Sequence, residues 1–197
     1  MGEIRSALDI ALEKTAGIAS DKTTSVNRDL RNTGKKAAGD YLSDGNIGHL
    51  DGILSGKPQE ALVQVKIGAV SILTAGIRLP SAESDLERMH RIADGINLLL
   101  PGQGMSELFA QVEQIFSQYI AEGDRLMKSL EQQFMPRLRA KQQEIAKRYG
   151  QTIPLELHQD PEYQAAVTKN KRLLEQKYEP IIEEIRARVH ESAGITE

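Results

Sequence analysis

The chain has 197 residues, 40% of them apolar, with no cysteine and no tryptophan. That is enough apolar material for a packed core, and it excludes disulfides, Cys-ligated metal and thiol nucleophiles. A formal net charge of −3 with 27% charged residues gives a surface of mixed sign, with no global basic field for nucleic acid or an anionic membrane.

Leu (21) and Ile (18) far outnumber Val (7), a balance that favours helix over strand. Three Phe and five Tyr are few for base-stacking platforms. The N-terminal Met-Gly-Glu-Ile-Arg-Ser lacks the uninterrupted apolar core of a signal peptide. With no cysteine, the expected compartment is the cytoplasm.

In chain order, Glu3 to about Ala16 predicts a first helix. Ile4, Leu8, Ala11 and Leu12 share a face, and Gly17 marks a stop. Ser20 and Asp21 offer a cap for a second helix to about Leu42. Its apolar positions, Val26, Leu30, Ala37, Ala38 and Tyr41, are sparse. Gly34 and Gly39 weaken it by about 1 kcal/mol each relative to Ala. Ser43-Asp44-Gly45-Asn46 is a turn, followed by a short helix from Ile47 to Leu54. Pro58 suits the first turn of a fourth helix, running to about Leu79. Val63, Val65, Ile67 and Ala69 alternate as a strand would. The apolar run continues through Val70, Ile72, Leu73 and Ile77, however, and that favours helix. The most apolar stretch, Ile67 to Ile77, is far short of the roughly 20 residues of a membrane span. Pro80 ends this helix. Ser81 or Ser84 caps a fifth, with acidic Glu83, Asp85 and Glu87 at its start and Leu86, Met89, Ile92, Ala93 and Ile96 along one side. Pro101-Gly102-Gln103-Gly104 is a firm break.

Composition changes there: thirteen of the sixteen glycines precede residue 105. The remainder predicts two long helices. The first, about Ser106 to Tyr149, carries Leu108, Val112, Ile115, Tyr119, Leu126, Leu130, Phe134 and Leu138 at three-to-four spacing. Gly150 is its natural cap. Asp160-Pro161-Glu162 starts the second, which runs to about Glu191 through Tyr163, Val167, Leu174, Tyr178, Ile181, Ile185 and Val189. Pro136 and Pro180 are expected to kink the two arms. The fold class expected is all-α: a Gly-containing cluster of about five helices over residues 1–104, and a long antiparallel hairpin over 105–197, as separate domains or one continuous one. Two helices cover each other's stripes only partly. The distal tip around Ile145, Tyr149 and Leu155 is therefore expected to stay exposed or to meet a second copy.

Signals for chemistry are few. Glu87 and His90 have the Glu-x-x-His spacing of di-iron bundles, but no second pair exists, so they are only weak metal candidates and a surface pair is the simpler reading. No frame from Asp40 or Asp44 completes a calcium loop. Pro101-Gly102-Gln103-Gly104 lacks the Lys-Ser/Thr of a phosphate loop. Arg137, Arg139, Lys141, Lys147 and Arg148 form a basic stretch, while the opposite arm offers Glu175, Glu179, Glu183 and Glu184. Charge pairing within or between hairpins is the simplest use of that pattern. Contact with phosphates is the weaker alternative.

Ile4-Arg5-Ser6-Ala7-Leu8-Asp9-Ile10-Ala11-Leu12-Glu13-Lys14-Thr15, and Leu79-Pro80 before an acidic helix start, resemble an uncharacterised family of bacterial all-helical proteins. The resemblance implies a small bacterial, cytoplasmic protein and carries over no functional residue. The function expected is a non-enzymatic interaction or scaffold protein that needs no cofactor. It would self-associate or bind a protein partner through the hairpin, with Arg137, Arg139, Lys141, Ile145, Lys147, Arg148 and Tyr149 as its contact residues. The alternative is an enzyme or small-molecule binder with a pocket among the N-terminal helices, using Glu87, His90, Arg91 and Asp94.

Overall fold

The computed structural model describes the backbone of residues 7–81, 84–150 and 154–195, and the side chains of 23–81, 85–150 and 154–195. Within these the chain is all-α. Its helices are α1 (Ala7–Asp44), α2 (Gly48–Leu54), α3 (Gln59–Ala75), α4 (Ser84–Leu99), α5 (Met105–Tyr149) and α6 (Pro161–Ser192), with a 3₁₀ turn at Leu157–Gln159 and no strand among the described residues. The alternating segment at Val63 is helical: Val65, Ala69, Val70 and Leu73 are buried, while Val63 is 44% exposed. That is burial at a period of three to four, not two.

Two expectations are corrected: α3 ends at Ala75, where Gly76 caps it, not at about Leu79 before Pro80, and the first two expected helices are one. Four helices, not five, precede residue 104, because α1 runs unbroken through Gly17, Ser20 and Asp21. A helical glycine costs only about 1 kcal/mol against alanine, and Ser and Asp are tolerated inside a helix. A weak breaker next to a weak cap does not end a helix of 38 residues. The apolar face read at Ile4, Leu8, Ala11 and Leu12 lies outside the described side chains, as does Glu83. The other stops fall where turn chemistry puts them. Gly150 takes φ +68° and donates its N–H to the Ala146 carbonyl at 2.9 Å. α5 and α6 both continue as helix through Pro136 and Pro180.

The chain forms two compact units. The first comprises Met1–Ile77, Glu87–Ser106 and Arg186–Glu197; the second comprises Arg78–Leu86 and Glu107–Ile185. In the first, α1 crosses α3 with backbones nearly touching. A Cβ on Gly34 would stand 1.9 Å from the Val65 carbonyl oxygen, and one on Gly68 would stand 2.0 Å from the Arg31 carbonyl oxygen. Only glycine fits both positions, which is the packing reason for two of the glycines in this half. The Arg31 guanidinium donates to Gln64 Oε1 at 2.7 Å beside the crossing. Tyr41, buried, donates its hydroxyl to the Arg91 carbonyl at 2.8 Å and so ties α1 to α4. Arg186 on α6 donates both Nε, at 2.9 Å, and Nη2 to the Ile77 carbonyl just beyond α3.

In the second unit α5 and α6 run side by side in opposite directions. Tyr119 meets Tyr178, Glu122 meets Lys177, Phe134 meets Tyr163, Arg137 meets Glu162 and Lys141 meets Asp160. As numbers rise on one helix they fall on the other. Leu130, Phe134 and Tyr163 form the buried seam, flanked by Leu126, Leu157, Ala166 and Val167. The two edge-to-face ring pairs, at 5.3 and 5.6 Å, each contribute about 0.5–1.5 kcal/mol beyond the area they bury.

The glycine crossing gives a direct test. Gly34→Ala and Gly68→Ala should each destabilise the protein by about 2 kcal/mol or more, since backbone on the facing helix must move. Gly39→Ala, with nothing within 4 Å of the new methyl, should stabilise by about 0.5–1 kcal/mol. Urea denaturation of the three variants measures this. Equal effects at positions 34, 68 and 39 would contradict the close approach.

Candidate functional site

The second unit has two concave surfaces: a wide, shallow one of about 710 Å³ on the outer face of α6, lined by Pro161, Gln164, Thr168, Lys169, Leu173 and Gln176, and a more sheltered groove along one flank of the paired helices. Ile120, Gly123, Asp124 and Met127 follow one another along one side of α5, and Val167, Lys171 and Leu174 do the same on α6 at three- and four-residue steps. That spacing keeps each set on one helical face. Pro80 and Ser81 also line it, and its volume is about 610 Å³. Ser81 is held there by its own backbone N–H, which donates to the Asp85 carboxylate at 2.7 Å.

The groove owes its depth to Gly123, where a methyl group would meet only Leu174 Cδ2, at 3.8 Å. Tyr119 lies at its floor, its phenol pKa raised first by burial and then by the Glu175 charge. Met127 is 37% exposed. Asp124 stands exposed on the α5 rim and Lys171 exposed on the α6 rim. The pairs Tyr119–Tyr178 and Phe134–Tyr163 set the register, and they put these two charges within about a turn of the same height.

The other flank carries ion pairs, with Leu173 left 54% exposed among them. Lys177 donates to both oxygens of Glu122, at 2.8 and 2.7 Å. Hydrogen bonding from Lys177 holds the Glu122 carboxyl below its ordinary pKa, and Lys177 is raised in turn by Glu122. Arg137 meets Glu162 at 3.0 Å further along.

The residues singled out from sequence fall in several places. Arg137 pairs with Glu162, Lys141 with Asp160 at 3.5 Å, and Arg148 with Glu144 at 3.2 Å one turn back on its own helix. Arg139 and Lys147 are exposed and make no ion pair among the described residues. Ile145 is half-buried, and Tyr149 is 68% exposed. Pairing of the basic stretch with Glu175, Glu179, Glu183 and Glu184 of the same chain does not occur. The observed register sets those acids opposite residues near 119, roughly 20 to 50 Å down the arm at about 1.5 Å per residue. Glu87, His90 and Asp94 are exposed on α4, and the Arg91 guanidinium packs over the Gly45 turn. Among the described residues no three His, Cys, Asp or Glu cluster to hold a metal ion. In the first unit a smaller groove of about 320 Å³ is lined by Gln59, Leu62, Lys66, Leu99, Leu100 and Ser192; it uses none of the four polar candidates. The sheltered groove was missed from sequence. Its one available sign was Gly123, the single glycine inside α5, beside Ile120 and Met127, which widen the apolar stripe on one side.

Asp160 joins the basic arm to the start of α6. Its carboxylate accepts from the backbone N–H groups of Glu162 at 2.9 Å and Tyr163 at 3.3 Å, with Lys141 beside it. Desolvation works against the charge, but the two backbone donors and Lys141 prevail and hold the carboxyl below its usual range. A carboxyl with a depressed folded-state pKa adds stability above its unfolded pKa and loses it as pH falls through the folded value. Stability should therefore drop on acidification below about pH 4, and less steeply in Asp160→Asn, which keeps a cap without the charge. Thermal melts of both proteins across that range check it; parallel pH profiles would speak against the interaction.

Comparison with known proteins places the chain in a family without naming a role. No curated protein and no solved structure matches it. Residues 52–191 match a family described as "Family of unknown function (DUF6657)", a span that includes α3, α4, α5, nearly all of α6 and every residue of the sheltered groove. With well over half its length inside that match, the chain belongs to the DUF6657 family.

Proposed function

We propose that this is a non-enzymatic helical interaction protein that binds another polypeptide through the paired arms α5 and α6. The observation that carries the reading is the asymmetry of the two flanks. One is laced by Glu122–Lys177 and Arg137–Glu162. The other presents a half-open groove with an apolar floor and an exposed methionine. Apolar surface left in water is unfavourable by roughly 25 cal/mol per Å², and contiguous patches of it mark contact sites. Methionine suits such a surface because its unbranched side chain adapts to what it meets. Asp124 and Lys171 on the rims fix orientation rather than supply affinity.

Binding of a polypeptide also fits the chain at large. Two long helices in one unit offer an extended face, and helix-in-groove recognition needs apolar anchors at helical spacing. Ile120 and Met127 on α5, with Val167 and Leu174 on α6, supply it. Cytoplasmic residence belongs to the same proposal; a chain without cysteine needs no oxidising compartment to fold. Among the described residues no helix is long and apolar enough to cross a membrane.

A photo-crosslinking amino acid placed at Met127 in the growing cell tests this reading, with the same group at exposed Ala121 on the outer side of α5 as control. Covalent adducts to a polypeptide are expected from position 127 and not from position 121. No adduct from either position, or equal adducts from both, would overturn it.

A further inference from the structure

We infer that the polypeptide received by the groove is the same groove of a second copy of this chain. The inference rests on the proposed function above and names its partner. The two rims carry opposite charge: Asp124 on the α5 side and Lys171 on the α6 side. They stand at nearly the same height on the arms, and among the described residues no ion pair joins them within the chain. A surface with one acid and one base facing across an apolar floor is self-complementary under one operation. A two-fold axis along the arms lays α5 of one copy on α6 of the other. It then puts each Asp124 against the second copy's Lys171, twice per dimer, as an isologous interface requires.

The competing two-fold axis, across the arms, lays α5 on α5. It sets Asp124 against Asp124 and Lys171 against Lys171, which like-charge repulsion disfavours. The favoured geometry also brings Met127 of one copy toward Val167 of the other. Two arms become a four-helix bundle, in which every helix packs against two neighbours. The flank bearing Glu122–Lys177 and Arg137–Glu162 does not compete, since its charges already have partners.

Sedimentation equilibrium of the full chain over a wide concentration range is the experiment, with Asp124→Lys, Lys171→Asp and the double variant. The wild type is expected to dimerise. Each single reversal makes both inter-copy pairs repulsive and should weaken dimerisation about 10- to 100-fold. An equimolar mixture of the two single variants should recover dimer as a heterodimer. In it the reversed position 124 of one copy faces the reversed position 171 of the other, and the unaltered pair is kept. The double variant should recover a homodimer. Recovery on mixing separates lost pairing from lost folding. A strictly monomeric wild type, single reversals without effect, or a mixture that stays monomeric would each overturn the inference. If the wild type is monomeric while Met127 still crosslinks to a different polypeptide, the second copy is excluded and the proposed function stands.

Discussion

Two helices lying side by side bury only the seam between them. That constraint governs the second unit. Leu130, Phe134 and Tyr163 fill the seam at one level and the Tyr119–Tyr178 pair at another, and neither reaches the outer flanks. The chain meets the shortfall differently on its two sides. On one it places charges, Glu122 with Lys177 and Arg137 with Glu162. Exposed pairs of this kind are screened by solvent and contribute little, so they dress a flank more than they hold it. On the other side Pro80 and Ser81 join the lining of the groove, and Met127 stays partly exposed.

The first unit meets its own packing demand by removing side chains. At Gly34 and Gly68 the α1 and α3 backbones approach so closely that a single methyl group would collide with a carbonyl oxygen. The gain there is contact between main chains, with dispersion spread over many atom pairs. This explains why Gly34 and Gly68 sit inside helices despite their propensity cost. Tyr41, bound through its hydroxyl to the Arg91 carbonyl, and Arg186, bound to the Ile77 carbonyl, satisfy polar groups at the margins of the same core.

What could be read in the sequence was local chemistry and periodicity. Asp160-Pro161 capped α6, Gly150 ended α5 and the Pro101–Gly104 run broke the chain, each through backbone geometry that nearby residues dictate. The continuity of α1 was not legible. Gly17 with Ser20 and Asp21 forms a credible stop and start, and the cost of continuing through them is too small for residue type alone to decide. Nor was the register. Helical spacing says which residues share a face but not which level of one helix meets which level of another. The acids Glu175 to Glu184 therefore read as available to Arg137 and Arg148, whereas the aromatic pairs place them about 20 to 50 Å apart at about 1.5 Å per residue. The groove was hidden for the same reason, because Ile120 and Lys171 share a site only once that register is set.

The claim on which the rest turns is that the flank of Ile120, Met127, Val167 and Leu174 is covered when the protein works. Hydrogen exchange followed by mass spectrometry at low and high protein concentration reads that cover segment by segment. Amides in α5 around residues 120–127 and in α6 around 167–174 should gain protection as the chain is concentrated, while α3 around Val65 to Leu73 stays constant. Identical exchange in all three segments at every concentration would show that the flank stays open to water and would contradict its closure by a second copy.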